Sequence, residues 1–132
     1  MAKAIKTKLL SFSTKDKPGL LAEVTGALAG AKVNITAICA YSWDHTAYVD
    51  MTVDDPAKAK KSLIQQGFEI EAEDVIAVEM PNKPGELDKV ARVLADAGIN
   101  ISYMYGTTSA GRTSTAIFST SDNRAALKKL AK

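Results

Sequence analysis

The residues able to do covalent or proton-transfer chemistry are few in this chain, and poorly spaced for it. The 132 residues include one histidine, His45, and one cysteine, Cys39. A catalytic triad or a zinc site needs several such groups to converge, and no spacing of His, Cys or carboxylates here resembles either. His45 has no ligand-like neighbour but Asp44 and reads as a solvated turn residue. Cys39 has no cationic neighbour in sequence to activate it, and reads as a small packed residue. Glu71 and Glu73 share one face of a strand in a solvated stretch, with nothing beside them to hold a proton. Gly106-Thr107-Thr108-Ser109-Ala110-Gly111-Arg112 has the glycines and hydroxyls of a phosphate loop. It lacks the Gly-Lys-Ser/Thr ending and lies between two strands instead of opening a helix, so it reads as a hairpin loop. The chain is not expected to be an enzyme, and no metal or cofactor is implied.

What does recur is a turn. Asp16-Lys17-Pro18-Gly19 returns 66 positions later as Asn82-Lys83-Pro84-Gly85. At the same shift Val24 falls on Val90, Leu28 on Leu94, Ala31 on Ala97, Asn34 on Asn100 and Ile35 on Ile101. The match runs from a turn through an amphipathic helix into the next strand, which identifies an internal repeat of two units, 1–72 and 73–132. Units of this size are near the lower limit for an independent core, so each is expected to pack against another unit or a second chain.

The rest of the composition is ordinary, with 46% hydrophobic and 24% charged residues. A net charge of +2 with scattered lysines does not suggest a nucleic-acid or membrane surface. A lone cysteine rules out an intrachain disulfide, and the N-terminus has no apolar core like that of a signal peptide. With no apolar run near the ~20 residues of a membrane helix, a cytoplasmic protein is expected.

The elements that must position the turns follow from periodicity. Ile5–Phe12 reads as a strand, and Leu20, Leu21, Val24, Leu28 and Ala31 form a helical stripe after the Lys-Pro-Gly turn. Pro18 suits a helix start, where a missing N–H costs nothing. Val33–Tyr41 and Thr46–Val53 read as a hairpin turning at Asp44 and His45, with Tyr41 and Trp43 as strand-face packing. Asp55-Pro56 is an N-cap followed by a first-turn proline. That helix ends at Gly67, and Phe68–Ala72 alternates as a fourth strand. The second half repeats the order with Val75–Met80, Glu86–Ala97, Ile99–Tyr105, Thr113–Thr120 and a helix from Asp122, and stops without its fourth strand. The expected class is α+β: two ferredoxin-like βαββαβ repeats, the second lacking its last strand. Val75–Met80 would then need cover along one edge, from this chain or from a second copy. A homodimer is expected on that ground.

A β-α-β-β-α-β unit whose first strand runs into an Asp/Asn-x-Pro-Gly turn resembles the ACT domain, a small regulatory module of amino-acid metabolism. The likeness rests on the two turns, the helices after them, and the strand starts Val33-Asn34-Ile35 and Gly98-Ile99-Asn100-Ile101. It covers nearly the whole chain as two ACT-like repeats. The resemblance implies a small amino acid bound between paired domains, where the turn of one faces the second strand of its neighbour. In serine-sensing members, an asparagine before x-Pro-Gly and another at the start of strand two touch the ligand. Those positions are Asn82 and Asn100 in the second repeat, and Asp16 and Asn34 in the first. The implied site is therefore Asp16, Lys17, Pro18, Gly19, Leu20 and Asn34, with Asn82, Lys83, Pro84, Gly85, Glu86 and Asn100. Physical chemistry agrees: helix-start N–H groups suit a carboxylate, glycine admits close approach, and carboxylate or amide oxygens accept from an ammonium.

Local readings of the same residues stay open. Pro-Gly makes a turn wherever it occurs, and Asn34 and Asn100 also suit the satisfaction of backbone groups between helix and strand. RNA-recognition motifs share this topology but need an aromatic and basic central strand. Ala47–Met51 and Ser114–Phe118 are neither. The two functions left are an amino-acid sensor that modulates an enzyme or regulator of amino-acid metabolism, and a ligand-free assembly subunit of a biosynthetic enzyme.

Overall fold

Gly19 and Gly85 turn the chain at the two motifs, with φ of 85° and 89°. Residues with a Cβ rarely adopt that left-handed conformation, so glycine at these two places lets a strand stop and a helix begin at once. The computed structural model describes residues 2–108 and 110–131. Its elements are β1 (Lys3–Lys15), α1 (Leu20–Gly30), β2 (Ile35–Trp43), β3 (Thr46–Val53), α2 (Pro56–Gln65), β4 (Glu71–Pro81), α3 (Glu86–Asp96), β5 (Ile101–Thr108), β6 (Thr113–Thr120) and α4 (Asn123–Leu130). The class is α+β, as the sequence predicts. Ser109, within the glycine-flanked loop, lies outside the described residues.

The chain divides into two compact units, Lys8–Glu73, and Met1–Thr7 with Asp74–Lys132. In the first, β3 lies between β2 and β1, antiparallel to both, with Phe12 opposite Val49 and Ala40 opposite Val49 from the other side. Alternation puts Leu10, Phe12, Val49 and Met51 on one face, where Val24 and Leu28 of α1 and Ala59 and Leu63 of α2 cover them. Ser62 Oγ donates to the Ala27 carbonyl at 3.1 Å and ties α2 to α1.

The second unit repeats the plan. β6 lies between β4 and β5, antiparallel to both, with Ile76 and Met104 opposite Phe118. Val90 and Leu94 of α3 and Ala126 and Leu130 of α4 complete the core. No strand follows α4 among the described residues. The cover for β4 is the start of the chain itself: β1 is its hydrogen-bonded neighbour, and Ala2 and Ala4 pack on this unit's core. The edge the sequence left open is therefore closed without a second copy.

One boundary differs from expectation. Phe68–Ala72 and Val75–Met80 are not separate strands, since β4 runs unbroken from Glu71 to Pro81. Nothing between them is a glycine or proline that would stop a strand. Phe68 instead turns inward after Gly67, its ring centroid 4.6 Å from that of Phe12. The expected hairpin is present, with Asp44 and His45 both at positive φ, 49° and 65°, as a two-residue turn of the primed kind requires.

Candidate functional site

The four helices among the described residues start in two ways. Asp55 Oδ1 accepts from the Lys58 N–H at 3.1 Å and Asp122 Oδ1 from the Ala125 N–H at 2.9 Å, so α2 and α4 are capped by side chains. Helices α1 and α3 begin after Gly19 and Gly85 with no side-chain cap; the Leu20 and Glu86 N–H groups reach back to the Lys17 and Lys83 carbonyls at a long 3.4 Å, and a helix start without a side-chain acceptor can receive one from a ligand. A cavity adjoins each uncapped start. That of the first unit has a volume of about 250 Å³ and is lined by Asp16, Lys17, Gly19, Leu20, Tyr41, Tyr48 and Val49, among others. That of the second has a volume of about 270 Å³, with Asn82, Lys83, Glu86, Leu87, Met104 and Ser114 in its wall. Both are near the lower end of the ~300–1,000 Å³ common for small-molecule sites, a size that suits a ligand of few atoms.

The motif residues take different positions around these cavities. Asp16 donates its backbone N–H to the His45 carbonyl at 2.9 Å, and its exposed side chain lies at the rim. Lys17 pairs with Glu23 at 3.0 Å. Asn82 donates its backbone N–H to Arg112 O at 2.8 Å and its Nδ2 to Gly111 O at 3.1 Å, holding the loop before β6. Asn34 and Asn100 are elsewhere within their units. The Asn34 N–H donates to Asp54 Oδ1 at 2.9 Å, and the Asn100 N–H to Ser121 Oγ at 3.0 Å. Both sit at the start of their strands, whereas the turns adjoin the far end of the hairpin, where Lys15 faces Thr46 and Pro81 faces Thr113. No single unit brings its turn and its strand-start asparagine together.

Glu86 is the outlier in charge. Its side chain is 7% exposed and pairs with Lys89 Nζ at 3.0 Å. The hydrogen bond from Lys89 holds the Glu86 carboxyl below the usual carboxylate range; burial opposes the shift, and the charges of Lys89 and Lys83 reinforce it. Several lining residues had escaped the sequence reading: Tyr41 and Tyr48, stacked at 5.2 Å in the first unit, and Met104, Gly106, Thr107, Ser114 and Thr115 in the second. The signal available for the second unit was a glutamate in the register of Leu20, on the buried side of a helix.

A third cavity, of about 370 Å³, is lined by Ser11, Ser13, Tyr48, Asp50, Glu69 and Glu71 with Phe12 and Ile70. Burial, aided by the charge of Glu73, pushes the Asp50 carboxyl up. Among the described residues no cluster of His, Cys, Asp and Glu is arranged to hold a metal ion. No helix of the described residues is long and apolar enough to cross a membrane.

Together these features define a tandem ferredoxin-like protein with a helix-start cavity in each unit. The chain belongs to the family of ACT domain pairs, whose profile matches residues 5–130. It is similar to protein BT0572 from Bacteroides thetaiotaomicron, with 31% identity and a TM-score of 0.89 over 97% of this chain and 88% of that one. It shares its fold with the ligand-free regulatory subunit of aspartate kinase from Thermus thermophilus, at 19% identity and a TM-score of 0.70, over 98% and 94% of the two chains. No curated protein matches the chain by sequence at a significant level.

Proposed function

We propose that the chain is a regulatory amino-acid sensor, binding a small amino acid beside the Lys-Pro-Gly turns and passing its bound state to an enzyme or regulator of amino-acid metabolism. The observation that carries this reading is the pairing, in each unit, of an uncapped helix start with a small cavity. A ligand carboxylate would accept from the N–H groups of the first helical turn, favoured by the helix dipole. Acceptors for its ammonium are at hand in Asp16 and Asn82. Membership of the ACT pair family and the fold shared with a regulatory subunit support a regulatory role.

Asn34 and Asn100 enter the proposal as the contribution of a second copy of the chain, since neither reaches the turn of its own unit. A homodimer is thus part of the reading. Its support is β2, which among the described residues has one hydrogen-bonded neighbour and exposes Tyr41 and Trp43, the latter 74% exposed. Light scattering should give about twice the 14.0 kDa of one chain, and Trp43→Lys should halve that mass.

The test of function is a thermal-shift screen against the twenty amino acids. A ligand that binds only the native state, at 100 times its Kd, adds about 2.7 kcal/mol of stability. A clear rise with one or a few small amino acids is expected. No shift with any of them would favour the ligand-free assembly subunit.

A further inference from the structure

The two helix-start cavities are built on one plan but lined by different chemistry. Leu20 and Glu86 each follow the left-handed glycine, and each is buried, at 7% and 6% exposure. Strand register extends the comparison. Ser42 faces Ala47 and Ala40 faces Val49 in the first unit; Thr108 faces Ser114 and Gly106 faces Ala116 in the second. In the second cavity a carboxylate thus replaces Leu20, a hydroxyl replaces Ala47, and Gly106 and Ala116 are smaller than Ala40 and Val49.

A carboxylate buried where the repeat has leucine costs free energy unless a cation compensates it. Lys89 supplies that cation, but its side chain is 72% exposed and engages Oε2. A mostly solvated lysine can withdraw and be replaced, charge for charge, by another ammonium arriving through the cavity.

We infer that the cavity of the second unit is the ligand site, and that the Glu86 carboxylate receives the primary ammonium of an α-amino acid in place of Lys89. The inference rests on the amino-acid reading above and assigns that reading to one unit. The ligand carboxylate then meets Lys83 and the uncapped N–H groups of α3, and a short side chain meets Met80, Leu87 and Met104. The first cavity, walled by Leu20, Tyr41, Tyr48 and Val49, has its carboxylate, Asp16, only at the exposed rim.

The experiment is calorimetric titration with whichever of the twenty amino acids raises the melting temperature most. Glu86→Gln, which keeps shape and removes charge, should weaken binding by about 10- to 150-fold. Lys89→Ala should tighten it, because a competitor for Glu86 is gone, whereas a merely structural ion pair would make both substitutions destabilising and neither selective for binding. Gly106→Val, which fills the cavity, should block binding in a folded protein and serves if Glu86→Gln fails to fold. Normal affinity in Glu86→Gln, or in a folded Gly106→Val, overturns this inference and leaves the sensor reading standing. A wild-type chain that responds to none of the twenty overturns both.

Discussion

The Lys6 ammonium lies 3.5 Å from Asp74 Oδ2, linking the first strand of the chain to a residue at its middle. The pair is more than a third exposed on both sides, so by itself it contributes only about 0–1 kcal/mol. Its significance is positional, because it marks where the start of β1 flanks β4. Removing residues 1–6 should strip β4 of that neighbour, speed amide exchange at Val75–Met80 and lower the melting temperature, whereas Lys6→Ala alone should do little. A truncated chain with unchanged exchange at β4 would mean that its edge needs no cover.

Gly19 and Gly85 should each resist substitution for a backbone reason alone. A Cβ built on either meets nothing within 4 Å, so the cost of alanine is conformational and not steric. Forcing an L-residue into the left-handed region costs about 1–2 kcal/mol, and Gly19→Ala and Gly85→Ala should each lower the melting temperature by several degrees. Equal melting of variant and parent would show that the helix start can relax.

Side chains at the four helix starts should separate into structural and ligand-facing sets. Asp55→Ala and Asp122→Ala each remove a cap and should cost about 1 kcal/mol of stability. Asn82→Ala loses the bond to Gly111 and should cost about 0.5–1.5 kcal/mol. Asp16→Ala, whose side chain caps nothing, should melt like the parent. Urea titration of the four variants checks the ranking, and an Asp16 variant as unstable as Asp55→Ala would contradict it.

Asp50 should make stability fall as pH rises through the carboxylate range. Burial first, and the charge of Glu73 second, raise its folded pKa above the unfolded value of about 3.9. The folded state therefore holds the proton more tightly, and ionisation between the two values is a net cost to folding. Asp50→Asn should raise the melting temperature at neutral pH, with the advantage shrinking as pH falls through that window. A constant difference at all pH values would locate the effect in packing.

Much of the fold was legible because its determinants are local. The Lys-Pro-Gly turns, the stripe from Leu20 to Ala31, the hairpin at Asp44 and His45 and the Asp55 cap each depend on a few consecutive residues and their steric preferences. Phe68 was misread because its alternation with Ile70 matches a strand, while its ring is drawn to Phe12, more than fifty positions earlier. The candidate site was half legible. The turn residues Asp16, Lys17, Asn82, Lys83 and Glu86 do line the two cavities, but Ser114 and Gly106 reach theirs only through the pairing of β5 with β6.

By itself, then, the sequence determined that the chain is two copies of one α+β plan, each with a glycine-started helix, because periodicity and backbone sterics act over a single turn or strand. Tertiary structure alone decided that the start of β1 would flank β4, that Asn34 and Asn100 would lie away from their own turns, and that Glu86 would be buried beside a cavity. Those outcomes depend on strand register and core closure between residues distant in sequence, where burial is decided by what packs opposite and not by the residue's own preference.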